Sequence, residues 1–240
     1  MIRIAFLLLA ASAPATAQIA PPVQSLPPLP APMYVAPSDI DLTRLLPAWP
    51  QPGSLASEAD VQSMLAVQLR RTKVEEIDAQ ADSVTTMTDF TKKLLGADAT
   101  PARYPQLFAL MAALRQDMRG INRAANAAQG FRIRPRLFDP RITPSLNMVG
   151  HGDASYPSAR TSSGQVWADV IAELVPSKAA EAQAEAERIA WRRVVGGVHY
   201  PSDLAGSRHV ARAVGVFLTG APKFQAALAK VKAELAAAIP

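Results

Sequence analysis

The chain has 240 residues, a formal net charge of +5 and no cysteine. Its length is enough to bury one sizeable hydrophobic core, and without cysteine its stability must come from that burial rather than from disulfides. The positive charge would help to attract anionic ligands, but it is too small and too evenly mixed with acidic residues to indicate a nucleic-acid-binding protein.

Residues 1–17 have the pattern of a secretory signal peptide. Arg3 precedes an apolar run over residues 4–11, and Ala15-Thr-Ala17 forms a small-x-small cleavage site. The apolar run is too short to span a bilayer as a helix, and no later segment is long and apolar enough to do so. We therefore expect cleavage after Ala17 and a periplasmic or secreted mature protein that is not held in a membrane.

Residues 18–56 are rich in proline, as in Pro27-Pro-Leu-Pro30 and Pro47-Ala-Trp-Pro50. Proline lacks an amide donor and favours extended, polyproline-like backbone. This composition predicts an N-terminal arm or linker, which would lie across either the folded domain or a partner subunit.

From residue 57 to residue 240 the composition changes to alanine, leucine and charged residues at helical spacing, and strand signals are nearly absent. Helices are predicted over residues 57–72, 88–95, 105–128, 157–175, 177–195, 201–218 and 222–238. The first has an apolar side made of Val61, Met64, Leu65 and Leu69, and the longest has one made of Leu107, Leu110, Met111, Leu114 and Met118. We predict an all-α fold, a single helical-bundle domain.

The stretch from Trp191 to Asp203 has the features of an anion site. A helix is predicted to end on Arg193, Gly196-Gly197 stops it, and Pro201 begins the next helix. His199 would then lie beside guanidinium groups and the amides of a helix start. Asp203, four residues later, could accept from one imidazole nitrogen and leave the other free. The alternative is a surface histidine next to a helix-capping aspartate.

Two upstream segments carry related chemistry. Arg134-Pro135 places another guanidinium beside a rigid turn, and Pro157-Ser158-Ala-Arg160 offers a hydroxyl and free amides at a helix start. Together with the Arg193 and His199 block, they resemble the three-part signature of the type 2 phosphatidic acid phosphatase superfamily, and in particular the secreted bacterial class A non-specific acid phosphatases. The resemblance covers the chain from about residue 57 to its end and implies the helical fold of acid phosphatases and vanadium haloperoxidases.

The resemblance implies hydrolysis of a phosphate monoester through a phosphohistidine. His199 would be the nucleophile, Asp203 would orient it, and Arg134, Arg193 and Ser158 would bind the phosphate. No metal or other cofactor is implied, because the histidines at 151, 199 and 209 have no ligand spacing. The likeness to class A enzymes also suggests a homodimer.

The sequence departs from the family pattern at two positions. The family has a lysine seven residues before the first motif arginine, where this chain has Ala127, and its Pro-Ser-Gly-His motif ends here in Arg160. A guanidinium cannot act as a general acid at ordinary pH, so protonation of the leaving group should be impaired, although Arg160 could add a phosphate contact. His151, in a loop bounded by glycines, would be either a substitute acid or simply a solvated side chain.

Three functions from different classes stay open. The leading hypothesis is a secreted acid phosphatase-like phosphomonoesterase. The second is a catalytically weak or inactive pseudoenzyme that binds phosphate, a phosphorylated ligand or a partner protein. A vanadium haloperoxidase ranks third, because the family grips vanadate with the lysine and histidine that are replaced here. The lack of membrane helices argues against a lipid phosphatase of the same superfamily.

Overall fold

The computed structural model describes residues 29–84, 86–146 and 154–238, so the predicted signal peptide and His151 lie outside the described residues. Within these ranges the chain forms ten α-helices and two single 3-10 turns, with one isolated bridge and no strand. The helices are α1 (Leu42–Leu45), α2 (Leu55–Arg70), α3 (Lys73–Val84), α4 (Met87–Leu95), α5 (Pro105–Ala128), α6 (Pro135–Phe138), α7 (Ala159–Leu174), α8 (Ala179–Val195), α9 (Pro201–Gly220) and α10 (Pro222–Ala238). The predicted all-α fold is confirmed.

In the described ranges, every helix is either too short or too polar to cross a membrane. The bounds of α5 and α10 coincide with the predicted ones, whereas α2 begins two residues early because the Ser54 hydroxyl caps it by accepting from the amide of Ser57 at 3.1 Å. Leu69 was assigned wrongly to the apolar side of this helix, since it is 87% exposed. It lies about 140° around the helix from the buried Met64.

The main core holds the helices that carry the motifs. Helix α7 packs against α5, α8 and α9, and the predicted apolar face of α5 is buried there: Leu107, Leu110, Met111, Leu114 and Met118. Each such side chain contributes about 1.5–3 kcal/mol on burial. Because the three motif blocks follow α5, precede α7 and join α8 to α9, this packing also fixes their relative positions.

The described part of the predicted arm lies across the helical domain. It contributes four side chains to the main core: Val35, Ile40, Leu42 and Leu46. The buried carboxylate of Asp117 on α5 accepts hydrogen bonds from the amides of Met33, Tyr34 and Val35 at 2.7, 2.8 and 3.1 Å. These contacts anchor the arm, and the boundary drawn at residue 57 stays a prediction.

Candidate active site

The turn between α8 and α9 positions His199. Gly197 has φ of +76°, and the amides of Val198 and His199 donate to the carbonyl of Arg193 at 3.1 and 3.3 Å. A Cβ on Gly197 would lie 2.8 Å from Cα of Pro144. The left-handed backbone and the close approach both favour glycine, so the chain reverses tightly and presents the imidazole beside the end of α8.

The first and second motif blocks meet in a short antiparallel contact. Ile133 forms a bridge with Ala154, and the amide of Ser155 donates to the carbonyl of Arg132 at 2.7 Å. This contact brings Arg134 to the turn, where its Nη1 donates to the carbonyl of Val198 at 2.9 Å. The same Nη1 lies 3.1 Å from Nε2 of His199.

The ring nitrogens of His199 have different partners. Nδ1 is 2.8 Å from the carbonyl oxygen of Ser155 and 3.3 Å from Oδ2 of Asp203. Both oxygens only accept hydrogen bonds, so Nδ1 carries the proton and Nε2 keeps its lone pair, which faces Arg134. The structure brings His199 and Asp203 together as predicted, but the shorter contact is to a backbone carbonyl, for which the sequence gives no side-chain signal.

His199 is buried, with 6% of its surface exposed. Burial and then the positive charge of Arg134 lower the pKa of His199 to about 4, and Asp203 only partly opposes them. The imidazole is therefore neutral above this pH, which is the state that a nucleophile needs.

Asp203 is fully buried and accepts several hydrogen bonds besides that from His199. Its Oδ1 accepts from Nη1 of Arg132 at 2.7 Å, and its Oδ2 accepts from the hydroxyl of Ser155 at 2.5 Å and the amide of Tyr200 at 2.9 Å. Sequence reasoning missed Arg132. The sequence did hold one indication of its role. Arg132 and Arg134 are two residues apart, and side chains at this spacing in an extended segment lie on the same face of that segment.

Arg193 and Arg160 are two further guanidinium groups near the site, since the charge of Arg193 acts on His199 and that of Arg160 acts on Arg193. Nη2 of Arg193 donates to the carbonyl of Ala79 at 3.3 Å, while its buried Nε has no hydrogen-bond partner among the described residues. Burial and the nearby charge of Arg160 lower the pKa of Arg193 to about 10, against the effect of Asp82. Burial also lowers the pKa of Arg160, and Asp82 opposes it. An anion placed here would offset these costs of burial.

Ser158 caps α7. Its hydroxyl accepts from the amide and the hydroxyl of Thr161 at 3.4 and 3.0 Å, and its own amide donates to the hydroxyl of Ser207 at 2.8 Å. The side chain is completely buried. Its predicted contact with phosphate stays a prediction.

The remaining candidates lie apart from this arrangement. Ala127 is exposed and lines a groove between α5 and the arm, together with Leu29 and Pro32. His209 is exposed on α9, as expected for an ordinary surface histidine. Among residues 29–84, 86–146 and 154–238, no group of three histidine, cysteine or acidic side chains could hold a metal ion.

The chain has sequence relatives among known bacterial proteins. No family model matches the chain. The non-specific acid phosphatase of Salmonella typhimurium is 30% identical over 156 residues, which are 64% of this chain and 62% of that protein. The enzyme of the same name from Providencia stuartii is 26% identical over 206 residues, 82% of each chain. The chain thus spans less than two thirds of the Salmonella relative.

A solved bacterial vanadium-dependent iodoperoxidase has the same fold, with a TM-score of 0.57 and 16% identity, over 75% of this chain and 54% of that one. At this identity the likeness concerns the fold alone. With its helical fold, its three motif blocks gathered around His199 and these sequence relatives, the chain is similar to the bacterial non-specific acid phosphatases and resembles the type 2 phosphatidic acid phosphatase superfamily.

Proposed function

We propose that the chain is a periplasmic or secreted phosphomonoesterase that acts through a phosphohistidine on His199. The observation that carries this proposal is the orientation of the imidazole. Its Nδ1–H is fixed by the carbonyl of Ser155 at 2.8 Å, and the lone pair of Nε2 points toward Arg134. A histidine nucleophile needs this tautomer and a cationic group in front of it. The relatives named acid phosphatases support the same class of reaction.

The reaction would proceed in two displacements. Arg134 and Arg193 bind the phosphate, and Nη1 of Arg134 exchanges its contact with Nε2 for a phosphate oxygen. Nε2 then attacks phosphorus while the bond to the leaving oxygen breaks. The phosphorylated ring is positively charged, and the carboxylate of Asp203 stabilises it. Water attacks the phosphohistidine in the second step, which releases inorganic phosphate and restores the neutral imidazole.

Arg160 makes the first displacement the harder one. It occupies the family's general-acid position, and its guanidinium has no proton to give in the working pH range. General acid catalysis contributes about 10²–10⁴-fold, so alkyl phosphates, whose leaving groups are strong bases, should react much more slowly than aryl phosphates. His151 stays a proposal as the substitute acid.

The second candidate function is phosphate binding with little turnover. It is favoured by the buried Nε of Arg193, which has no hydrogen-bond partner among the described residues, and by the proximity of Arg160 to Arg193. Both features favour a bound anion, and neither helps a leaving group to depart. A haloperoxidase gains no comparable support, because the likeness to the iodoperoxidase concerns the fold alone.

The test compares an aryl and an alkyl phosphate as substrates for the protein, for His199→Ala and for Arg160→His. We expect aryl phosphate hydrolysis that is lost in His199→Ala, and alkyl phosphate turnover that rises in Arg160→His. If neither ester shows His199-dependent hydrolysis while calorimetry detects binding of inorganic phosphate, the enzyme proposal is wrong and the binding function replaces it. Sedimentation of the same samples tests the predicted homodimer.

A further inference from the structure

A buried polar network extends from the Nδ1 side of His199 to α2, whereas Arg134 faces the Nε2 atom of the same ring. From Asp203 it continues through Arg132 to Asp60, a residue that the motif blocks do not contain. Arg132 is 3% exposed and Asp60 is 6% exposed. We propose that Asp60 is a positioning residue for His199, acting through Arg132 and Asp203. The expected effect of Asp60 on kcat rests on the proposed function, whereas its expected effect on the His199 imidazole does not.

Asp60 holds two separate parts of the site. Its Oδ2 accepts from Nη2 of Arg132 at 2.7 Å, while Nη1 of the same guanidinium donates to Oδ1 of Asp203 at 2.7 Å and to the hydroxyl of Ser202 at 2.7 Å. Its Oδ1 accepts from the amide of Ser202 at 3.2 Å, and the Ser202 hydroxyl donates to its Oδ2. Asp60 therefore fixes both the guanidinium behind Asp203 and the first turn of α9, which follows His199.

Two aromatic rings restrict Arg132 further. Its guanidinium carbon lies 4.0 Å from the ring centroid of Tyr200 and 5.6 Å from that of Trp49. Cations at such distances are attracted to the faces of the rings. With carboxylates at both ends and the rings beside it, the guanidinium has one arrangement that satisfies all its partners. Loss of the Asp60 charge would remove that constraint.

The charges of the network explain why a second carboxylate is useful. Two carboxylates and one guanidinium give the group formed by Asp60, Arg132 and Asp203 a net charge of −1. Without the charge of Asp60, Arg132 would neutralise Asp203 alone, and the group would be neutral. The positive charge that develops on the phosphorylated imidazole would then lose its counter-charge in a buried environment, where such interactions are strong.

The charged groups that face His199 come from four parts of the chain. Arg134 precedes α6, Arg193 lies in the last turn of α8 and Asp203 lies in the first turn of α9. Arg132, which is also in the segment before α6, and Asp60 on α2 lie behind Asp203. Of these groups, Arg132 and Asp60 are the ones that set the net charge of the network without being proposed to contact the phosphate.

The experiment uses Asp60→Asn, with Glu185→Gln as the matched control. Glu185 is also a buried carboxylate, paired with Lys93 at 2.6 Å and Arg188 at 2.5 Å, but no contact joins it to the His199 network. The first readout is the ¹⁵N spectrum of labelled histidine, in which the His199 signals are those lost in His199→Ala. Because the carbonyl of Ser155 still accepts from Nδ1, we expect a single tautomer with Nδ1 protonated in all three proteins. The Nδ1 resonance should shift in Asp60→Asn, since the contact of Nδ1 with Asp203 changes, and should stay unchanged in Glu185→Gln.

The second readout is turnover of an aryl phosphate. Because the phosphate-binding groups are unchanged in Asp60→Asn, we expect kcat to fall roughly 10- to 100-fold with KM nearly constant, as for a reacting group displaced by a fraction of an ångström. Ser202→Ala, which removes one link of the network, should give a smaller change in the same direction. If Asp60→Asn does not fold, the spectrum and kcat of Ser202→Ala decide whether the network positions His199.

Spectra and kcat that match those of Glu185→Gln, in whichever of the two variants folds, would overturn the proposal. A wild-type protein without His199-dependent hydrolysis would instead refute the proposed function. The ¹⁵N spectra need no turnover, so they would still decide whether Asp60 positions His199.

Discussion

Replacement of His199 by glutamine should change how the stability of the fold depends on pH. The imidazole is buried, and its pKa is lowered from 6.5 to about 4. The folded protein thus binds this proton less readily than the unfolded chain does. Protonation therefore favours unfolding as the pH falls from 6.5 toward 4, and the group contributes its full stability only above that range.

The magnitude follows from the two pKa values. A difference of one in pKa corresponds to about 1.4 kcal/mol, so through His199 the folded state should lose about 2 kcal/mol between pH 7 and pH 5 and roughly 3 kcal/mol by pH 4. Domains are typically stable by about 5–15 kcal/mol. This one group would therefore account for a sizeable part of acid unfolding.

Urea unfolding at several pH values between 7 and 4 measures the effect. Other titrating groups are present in both proteins, so the difference in the free energy of unfolding between wild type and His199→Gln isolates this imidazole. We expect that difference to move by about 3 kcal/mol in favour of the variant on acidification. His209→Gln, at an exposed position on α9, is the control and should follow the wild-type curve. Parallel curves for His199→Gln would refute the claim that a neutral imidazole is buried here.

Two further predictions follow from the same region. A Cβ on Gly206 would overlap the ring of Tyr156, so Gly206→Ala should lower the free energy of unfolding by about 1–3 kcal/mol. At Gly215 in the same helix, an added Cβ would meet nothing within 4 Å, so Gly215→Ala should leave the free energy of unfolding unchanged or raise it by up to about 1 kcal/mol. Equal changes in the two variants on urea unfolding would contradict this packing. If the proposed function is correct, kcat/KM should fall on the acid side near pH 4, since it reports the free enzyme. The phosphate ester itself titrates at roughly pH 6, so its ionisation is measured separately. A further limb near the ordinary histidine value of 6.5 would show that His199 is not desolvated.

The helices that could be predicted from the sequence are those with a local apolar pattern. The predicted bounds of α5 and α10 are correct: each begins at a proline, and α5 also has periodic leucine and methionine residues. Helix α3 was missed because its buried positions are Ala79 and Asp82, which form no apolar stripe. Besides the packing of Ala79, it contributes polar contacts to α8, since Asp82 accepts from Nη1 of Arg192 at 2.8 Å and the carbonyl of Ala79 accepts from Arg193.

The candidate site divides in the same way. His199 and Asp203 were predictable because they lie four residues apart in one turn. Asp60 was not, because its partner Arg132 is 72 residues away along the chain, and a single sequence does not show which distant charges pair. The carbonyl of Ser155 was also beyond prediction, since a backbone group leaves no mark on the choice of side chain.

The imidazole of His199 lies at a boundary between two opposite charge distributions. On the Nδ1 side of the ring, Asp203 and Asp60 outnumber Arg132. Arg134 lies on the Nε2 side, and the positive charge of Arg193 also acts on the ring. The carbonyl of Ser155, with Asp203, holds the Nδ1 proton. The negative side would stabilise the phosphorylated ring, while the positive side would bind the anion. The two departures from the family pattern, Ala127 and Arg160, belong to neither the imidazole nor the negative side. If His199 is the nucleophile, its activation can be intact while departure of the leaving group is slow. A phosphate contact such as the one proposed for Arg160, which would hold bound phosphate equally before and after transfer, would not raise kcat.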